Sequence, residues 1–137
     1  MIKQCVIGLE GTQLTTQEVE WLKHKTPQGV ILFARNVESP EQVKTLLADI
    51  RKHAGQGIWI AIDEEGGRVF RMPWAPFHQR NHAADYGVLF KENPDQAIKE
   101  VFSDAYQAGQ ALKELGFTHN CAHVLDVFYP SGDPIIG

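Results

Sequence analysis

The sequence predicts an α/β fold with parallel strands. Three observations carry this: short apolar runs without polar alternation, helical periods between them, and a strand-helix spacing of about 30 residues that implies right-handed crossovers. The order is (βα)₃β plus a tail, in a chain of 137 residues that is 43% hydrophobic and 22% charged, enough apolar material for one core.

Gln4 to Gly8 is β-rich, and Thr15 and Glu18 stand at capping-box spacing ahead of Val19 and Leu22, which gives a first strand and helix. Gly29 to Phe33 is a continuous apolar run of the kind buried on both faces of a parallel sheet. Ser39, Pro40 and Gln42 then read as N-cap, N1 and N3 of a helix carrying Val43, Leu46, Leu47 and Ile50. Ile58 to Ile62 is the third strand. Its helix is delayed to Asn93-Pro94, across a connection of about 30 residues where two to six are usual. That helix places Ile98, Val101, Ala105, Ala108 and Leu112 on one stripe and stops at Gly116, before a fourth strand in "FTHNCAHVLDV". The pattern fits a doubly wound sheet or part of a (β/α)₈ barrel, and a whole barrel needs about 250 residues.

A net charge of −4 without any Lys/Arg run excludes the electrostatic footprint of nucleic-acid binding and of attachment to anionic lipid. The longest apolar run, Val30 to Ala34, is far short of the roughly 20 residues of a membrane span, and no secretory leader opens the chain, so a cytoplasmic location is expected. Cys5 and Cys121 lack metal-like spacing and read as free buried thiols.

In both architectures ligands bind beyond the carboxyl ends of the strands. Those ends carry Glu10, Arg35 and Asn36, then Asp63, Glu64 and Glu65, then Asp126. The densest cluster is "IAIDEEGGRVFRM", residues 60 to 72. A phosphate cradle on Gly66 and Gly67 conflicts with three adjacent carboxylates. A glycosidase pair needs carboxyls about 5 to 9 Å apart, which adjacent residues rarely provide, although Asp63 and Glu65 can share a side while Glu64 points away. A sugar site explains more: an Asp accepts from hydroxyls, Arg68 or Arg71 donates to oxygens, and Trp74 and Phe77 supply apolar contact. Arg68 also suits a structural pairing with Glu65. His119, Cys121 and His123 alternate onto one face but, spaced about 6.6 Å apart along a strand, converge poorly on a metal. His78 and His82 are weaker still as ligands.

Taken together, "GVILFARNV", "IAIDEEGGRVFRM" and "AHVLDVFYPSGDPIIG" resemble the N-terminal part of bacterial β-N-acetylhexosaminidases of glycoside hydrolase family 3. The family patterns are an apolar strand ending in Leu-Phe-x-Arg-Asn, then Asp-x-Glu-Gly-Gly-Arg-Val-x-Arg, then Ala-Pro-Val-Leu-Asp-Val. Here His123 stands at the usual Pro and Cys121 at an aromatic. The resemblance implies the N-terminal half of a TIM-type barrel, residues 1–137 forming one partial domain. It also implies retaining hydrolysis of terminal N-acetylglucosamine in the recycling of cell-wall muropeptides, with no metal or organic cofactor. Asp63 and Arg71 fall on the family's sugar-binding Asp and Arg; Arg35, Asn36, Glu64, Glu65, Arg68 and Asp126 are further site candidates. The family's Glu-Arg-Ser, Lys-His-Phe-Pro-Gly-His-Gly and nucleophilic Asp motifs do not occur in the 137 residues. The expectation is a truncated or split enzyme with no catalytic group of its own. A half barrel would leave open strand edges and leave Val30, Leu32, Ile60 and Ile62 without an opposite wall, so that self-association or a separate C-terminal half completes it. The rivals are a complete non-catalytic α/β sugar-binding module and a decayed pseudo-enzyme without ligand.

Overall fold

The computed structural model describes residues 4–25, 27–124, 129 and 132. The chain runs β1 (Val6–Gly8), α1 (Thr16–His24), β2 (Gly29–Leu32), α2 (Pro40–Ala54), β3 (Trp59–Ile62), α3 (Ala83–Glu92), α4 (Pro94–Leu115) and β4 (His119–Asn120). The strands form one sheet in the order β1-β2-β3-β4, and every neighbouring pair is parallel. This is the arrangement that repeated strand-helix units impose when each crossover returns to the same side of the sheet.

The helix starts follow local chemistry. Thr15 caps α1 by accepting from the Glu18 backbone N–H, while Glu18 returns a carboxylate to the Thr15 N–H at 2.7 Å and also accepts from Glu10 N–H at 2.8 Å. Ser39 caps α2 with Pro40 in the first turn, and Asn93 caps α4 ahead of Pro94. Gly116, in the left-handed region at φ 106°, closes α4, and its carbonyl accepts from Arg51 on α2.

One face of the sheet is covered by helices. Val30, Leu32, Ile60 and Ile62 are wholly buried with Leu22, Val43, Leu46, Leu47, Ile50 and Leu112. This corrects the expectation that those four strand residues lack an opposite wall: they point under the helices. The alternate positions Val6, Ile31, Trp59, Ala61 and His119 occupy the other face, where Val6 and Trp59 are 50% and 44% exposed. The Trp59 and His119 rings lie 4.6 Å apart there.

Four further expectations change. The connection after β3 contains α3, which buries none of its residues and whose apolar period is weak, so no helical signal stands out in the sequence. On α4 the expected stripe holds at Ala108 and Leu112, which are buried, and at Val101 and Ala105, which are half-buried, but Ile98 is exposed and Ala97 beside it takes the buried position. The described fourth strand is His119–Asn120, and residues 125–128, Asp126 among them, lie outside the described residues. The expectation of buried thiols is also corrected, since Cys5 is half-buried and Cys121 exposed; no disulfide joins them. No helix among the described residues is long and apolar enough to cross a membrane.

Candidate functional site

Beyond the carboxyl end of β3 the chain makes a compact turn. Gly66 and Gly67 adopt φ 90° and 57°, and reciprocal backbone bonds join Gly66 to Val69. A Cβ on Gly67 would stand 2.5 Å from His82 Nδ1, so glycine is needed there for space as well as for conformation. The turn folds Arg71 back over Asp63, and its guanidinium Nη2 donates to Asp63 Oδ2 at 2.6 Å. Both side chains keep about a quarter of their surface exposed, so the pair is held yet reachable.

The three consecutive carboxylates part as strand alternation requires. Glu64 points inward and is fully buried; its Oε2 accepts from the backbone N–H groups of Arg71 at 2.8 Å and Met72 at 3.3 Å. Burial raises the Glu64 carboxyl above its ordinary value, against the lowering influence of those two N–H donors. Glu65 stays on the side of Asp63. Its carboxyl is raised first by burial, then by a hydrogen bond and charge repulsion from Asp63. Two carboxyls placed so that one raises the other share one side of the site, whereas a glycosidic acid and nucleophile stand on opposite sides of the scissile bond.

The neighbouring strand end supplies a floor. The Phe33 ring lies under two guanidinium groups, with Arg35 Cζ 4.8 Å and Arg71 Cζ 5.9 Å from its centroid. Arg35 Nε donates to the Leu9 carbonyl at 2.8 Å and opens onto a cleft of about 460 Å³ lined also by Gly8, Glu10, Gln17 and Trp21. Asn36 is fully buried and spent on the backbone: it donates to the Leu9 and Gly11 carbonyls and accepts from Phe33 N–H. Arg68 is exposed on the glycine turn. Phe77 belongs to the core at 1% exposure and offers a ligand no surface, and Trp74 is partly buried against the same cluster.

Two residues emerge that the motif reading passed over. Arg80 is buried, donates to the Glu64 carbonyl at 3.1 Å and pairs with Asp104 of α4 at 3.0 Å. Asn120 on β4 exchanges two hydrogen bonds with the Glu64 backbone, each of 3.0 Å. An arginine in a polar loop carries no signal of burial, so Arg80 was hidden. Cys121 follows Asn120, and burial, then the negative charges of Asp63 and Glu65, push its thiol up. Among the described residues no group of three His, Cys, Asp or Glu side chains could hold a metal ion.

The fold is a parallel α/β sheet with an accessible carboxylate-guanidinium pair beyond its strand ends, the edge at which open and closed α/β sheets take their ligands. No family model matches the chain. It is homologous to bacterial β-hexosaminidases: it is 36% identical over 122 residues to the β-hexosaminidase of Stenotrophomonas maltophilia strain R551-3, covering 89% of this chain and 36% of that protein. The β-hexosaminidase of Xylella fastidiosa strain M23 is 34% identical over 126 residues, with the same coverage. Native NagZ from Neisseria gonorrhoeae superposes with a TM-score of 0.84 at 27% identity, covering 91% of this chain and 36% of that one. The same enzyme in complex with N-trifluoroacetyl-D-glucosamine gives a TM-score of 0.77 over 84% of this chain and 34% of that chain. The present chain thus spans little more than a third of the length of the curated relatives it matches.

Proposed function

We propose that residues 1–137 form the N-terminal, sugar-binding part of a family 3 β-N-acetylhexosaminidase, one partial domain of a TIM-type barrel acting on terminal N-acetylglucosamine. The single observation that carries this reading is the Asp63–Arg71 pair, formed across a glycine turn at the carboxyl end of a central strand, in a chain with β-hexosaminidase relatives.

The chemistry follows from the pair. A sugar is neutral and rich in hydroxyls, so it is gripped by a fixed acceptor beside a fixed donor. Asp63, its charge balanced by Arg71, accepts from sugar hydroxyls while the terminal guanidinium N–H groups of Arg71, whose Nε is buried, donate to ring or hydroxyl oxygens. Arg35 shares the Phe33 ring with Arg71, and Glu10 lines the cleft beside Arg35. An Asp engaged in this way serves as a hydroxyl acceptor, not as a nucleophile. The groups that protonate the leaving oxygen and attack the anomeric carbon come from sequence outside these residues, on the same polypeptide or on another. Breakdown of cell-wall muropeptides in the cytoplasm is the setting this reading favours.

The test pairs binding with turnover. The 137-residue chain is expected to bind N-acetylglucosamine, to lose that binding in Asp63→Ala, and to leave a chromogenic N-acetyl-β-glucosaminide intact. Turnover by the purified chain would overturn the assignment of chemistry to other sequence. A second reading, a sugar-binding module without chemistry, is favoured by the completeness of the core beneath the helices, where Val30, Leu32, Ile60 and Ile62 are wholly buried. The two part when the additional two-thirds typical of the relatives is supplied: only the first predicts hydrolysis.

A further inference from the structure

Asp63 and Arg71 meet across the glycine turn, whose own backbone bonds run from Glu65 and Gly66 N–H to the Val69 carbonyl and from Val69 N–H back to the Gly66 carbonyl. Its anchor lies on the opposite side. Arg80 is 7% exposed, and its side chain is 2% exposed. The guanidinium Nη1 donates to the carbonyl of Glu64, the residue after Asp63, at 3.1 Å, while Nε donates to Asp104 Oδ2 at 3.0 Å. The Arg80 carbonyl accepts from Gly67 N–H at 3.2 Å, and its Cβ sits 3.1 Å from where a Cβ on Gly66 would fall. One residue therefore grips the turn at Glu64, Gly66 and Gly67. Asp104 accepts in addition from the hydroxyl of Tyr86 on α3, a tyrosine pushed up to about 12 by burial, then by that carboxylate.

We infer that the buried Arg80–Asp104 pair is a positioning device that sets the Asp63–Arg71 clamp by bolting the glycine turn to α4. Its importance for sugar rests on the binding role proposed above; its effect on the clamp does not. A buried arginine that loses its carboxylate retains a charge that must find another acceptor. The Glu64 and Gly67 bonds are the ones it would disturb, and the Asp63 backbone moves with them.

The experiment reads the clamp directly, as the side-chain N–H resonance of Arg71 in the 15N-labelled chain, and separately reads affinity for N-acetylglucosamine. Asp104→Asn is expected to move or broaden the Arg71 signal and to weaken binding by about tenfold, the equivalent of one charged hydrogen bond. Asp104→Glu should restore part of both. Ile50→Val, which loosens the core on α2 away from the site, serves as the stability control and should leave the Arg71 signal in place. Should Asp104→Asn fail to fold, Tyr86→Phe, which removes one donor to Asp104, replaces it and should shift the Arg71 signal in the same sense. An Arg71 signal unmoved by the folded variant, or moved equally by Ile50→Val, overturns the inference. A moved signal in a chain that binds no sugar supports the positioning role and contradicts the sugar reading alone.

Discussion

Glu64 shows how one position can serve a site without touching a ligand. Its carboxyl is fully buried, and Oε2 satisfies two backbone N–H groups in the segment that carries Arg71. Glu64→Ala leaves both donors without their acceptor and is expected to cost about 2 kcal/mol, read as a fall in denaturation midpoint. The pH dependence has a definite sign. Burial raises the folded-state value above the ordinary 4.5. The native state therefore holds the proton more tightly than the unfolded chain, and this contribution is complete below 4.5 and lost as pH rises through the folded value. Glu64→Gln cannot titrate, so wild-type stability minus that of Glu64→Gln should fall over that window; a flat difference would show that the carboxyl titrates alike in both states. Sequence reading placed Asp63 and Arg71 beside each other through family likeness, and strand alternation alone separated Glu64 from Asp63 and Glu65. The inward turn of Asn36 could not be read, because an Asn at a strand end looks the same whether it faces solvent or caps a backbone.

At the scale of elements, the glycine turn is the piece on which the site depends. Gly66 stands at φ 90°, with Arg80 Cβ and the Asn81 carbonyl 3.1 and 3.2 Å from where a Cβ would sit. Gly66→Ala should cost roughly 1 to 3 kcal/mol through left-handed strain and loosen the Asp63–Arg71 contact, seen as lower sugar affinity at temperatures where the chain remains folded. The capping residues Thr15, Ser39 and Asn93 and the stop at Gly116 were all legible, because each rests on chemistry local to three or four residues. What escaped was decided by distant partners. Helix α3 buries none of its residues, and it is tied to α4 through Tyr86 and Asp104. The expected stripe on α4 put Ile98 inward, yet it is 56% exposed, with Phe102 and Tyr106 one and two turns on exposed beside it.

At the scale of the molecule, the sheet is finished on one side only. Helices seal the face of Val30, Leu32, Ile60 and Ile62, while Val6 and Trp59 remain open on the other, and β1 and β4 are the outer strands of the described sheet. Such a face and such edges favour pairing with further chain. The purified 137-residue chain is accordingly expected to associate with itself as concentration rises, which light scattering would register as a rising mass; a monodisperse monomer across the range would contradict it. The parallel order of strands was legible from the repeat of apolar run and helix, but which strand residues face the helices was not, since a run such as Gly29 to Leu32 is apolar on both sides.

The central claim is that Asp63 and Arg71 hold a sugar between them. The most direct measurement is a titration of the chain with N-acetylglucosamine, followed at the side-chain resonances of Asp63 and Arg71, in the wild type and in Asp63→Ala. Saturable shifts at both residues, with binding lost in the variant, are the result expected. Resonances that stay still at saturating sugar, or equal binding by Asp63→Ala, would contradict the account.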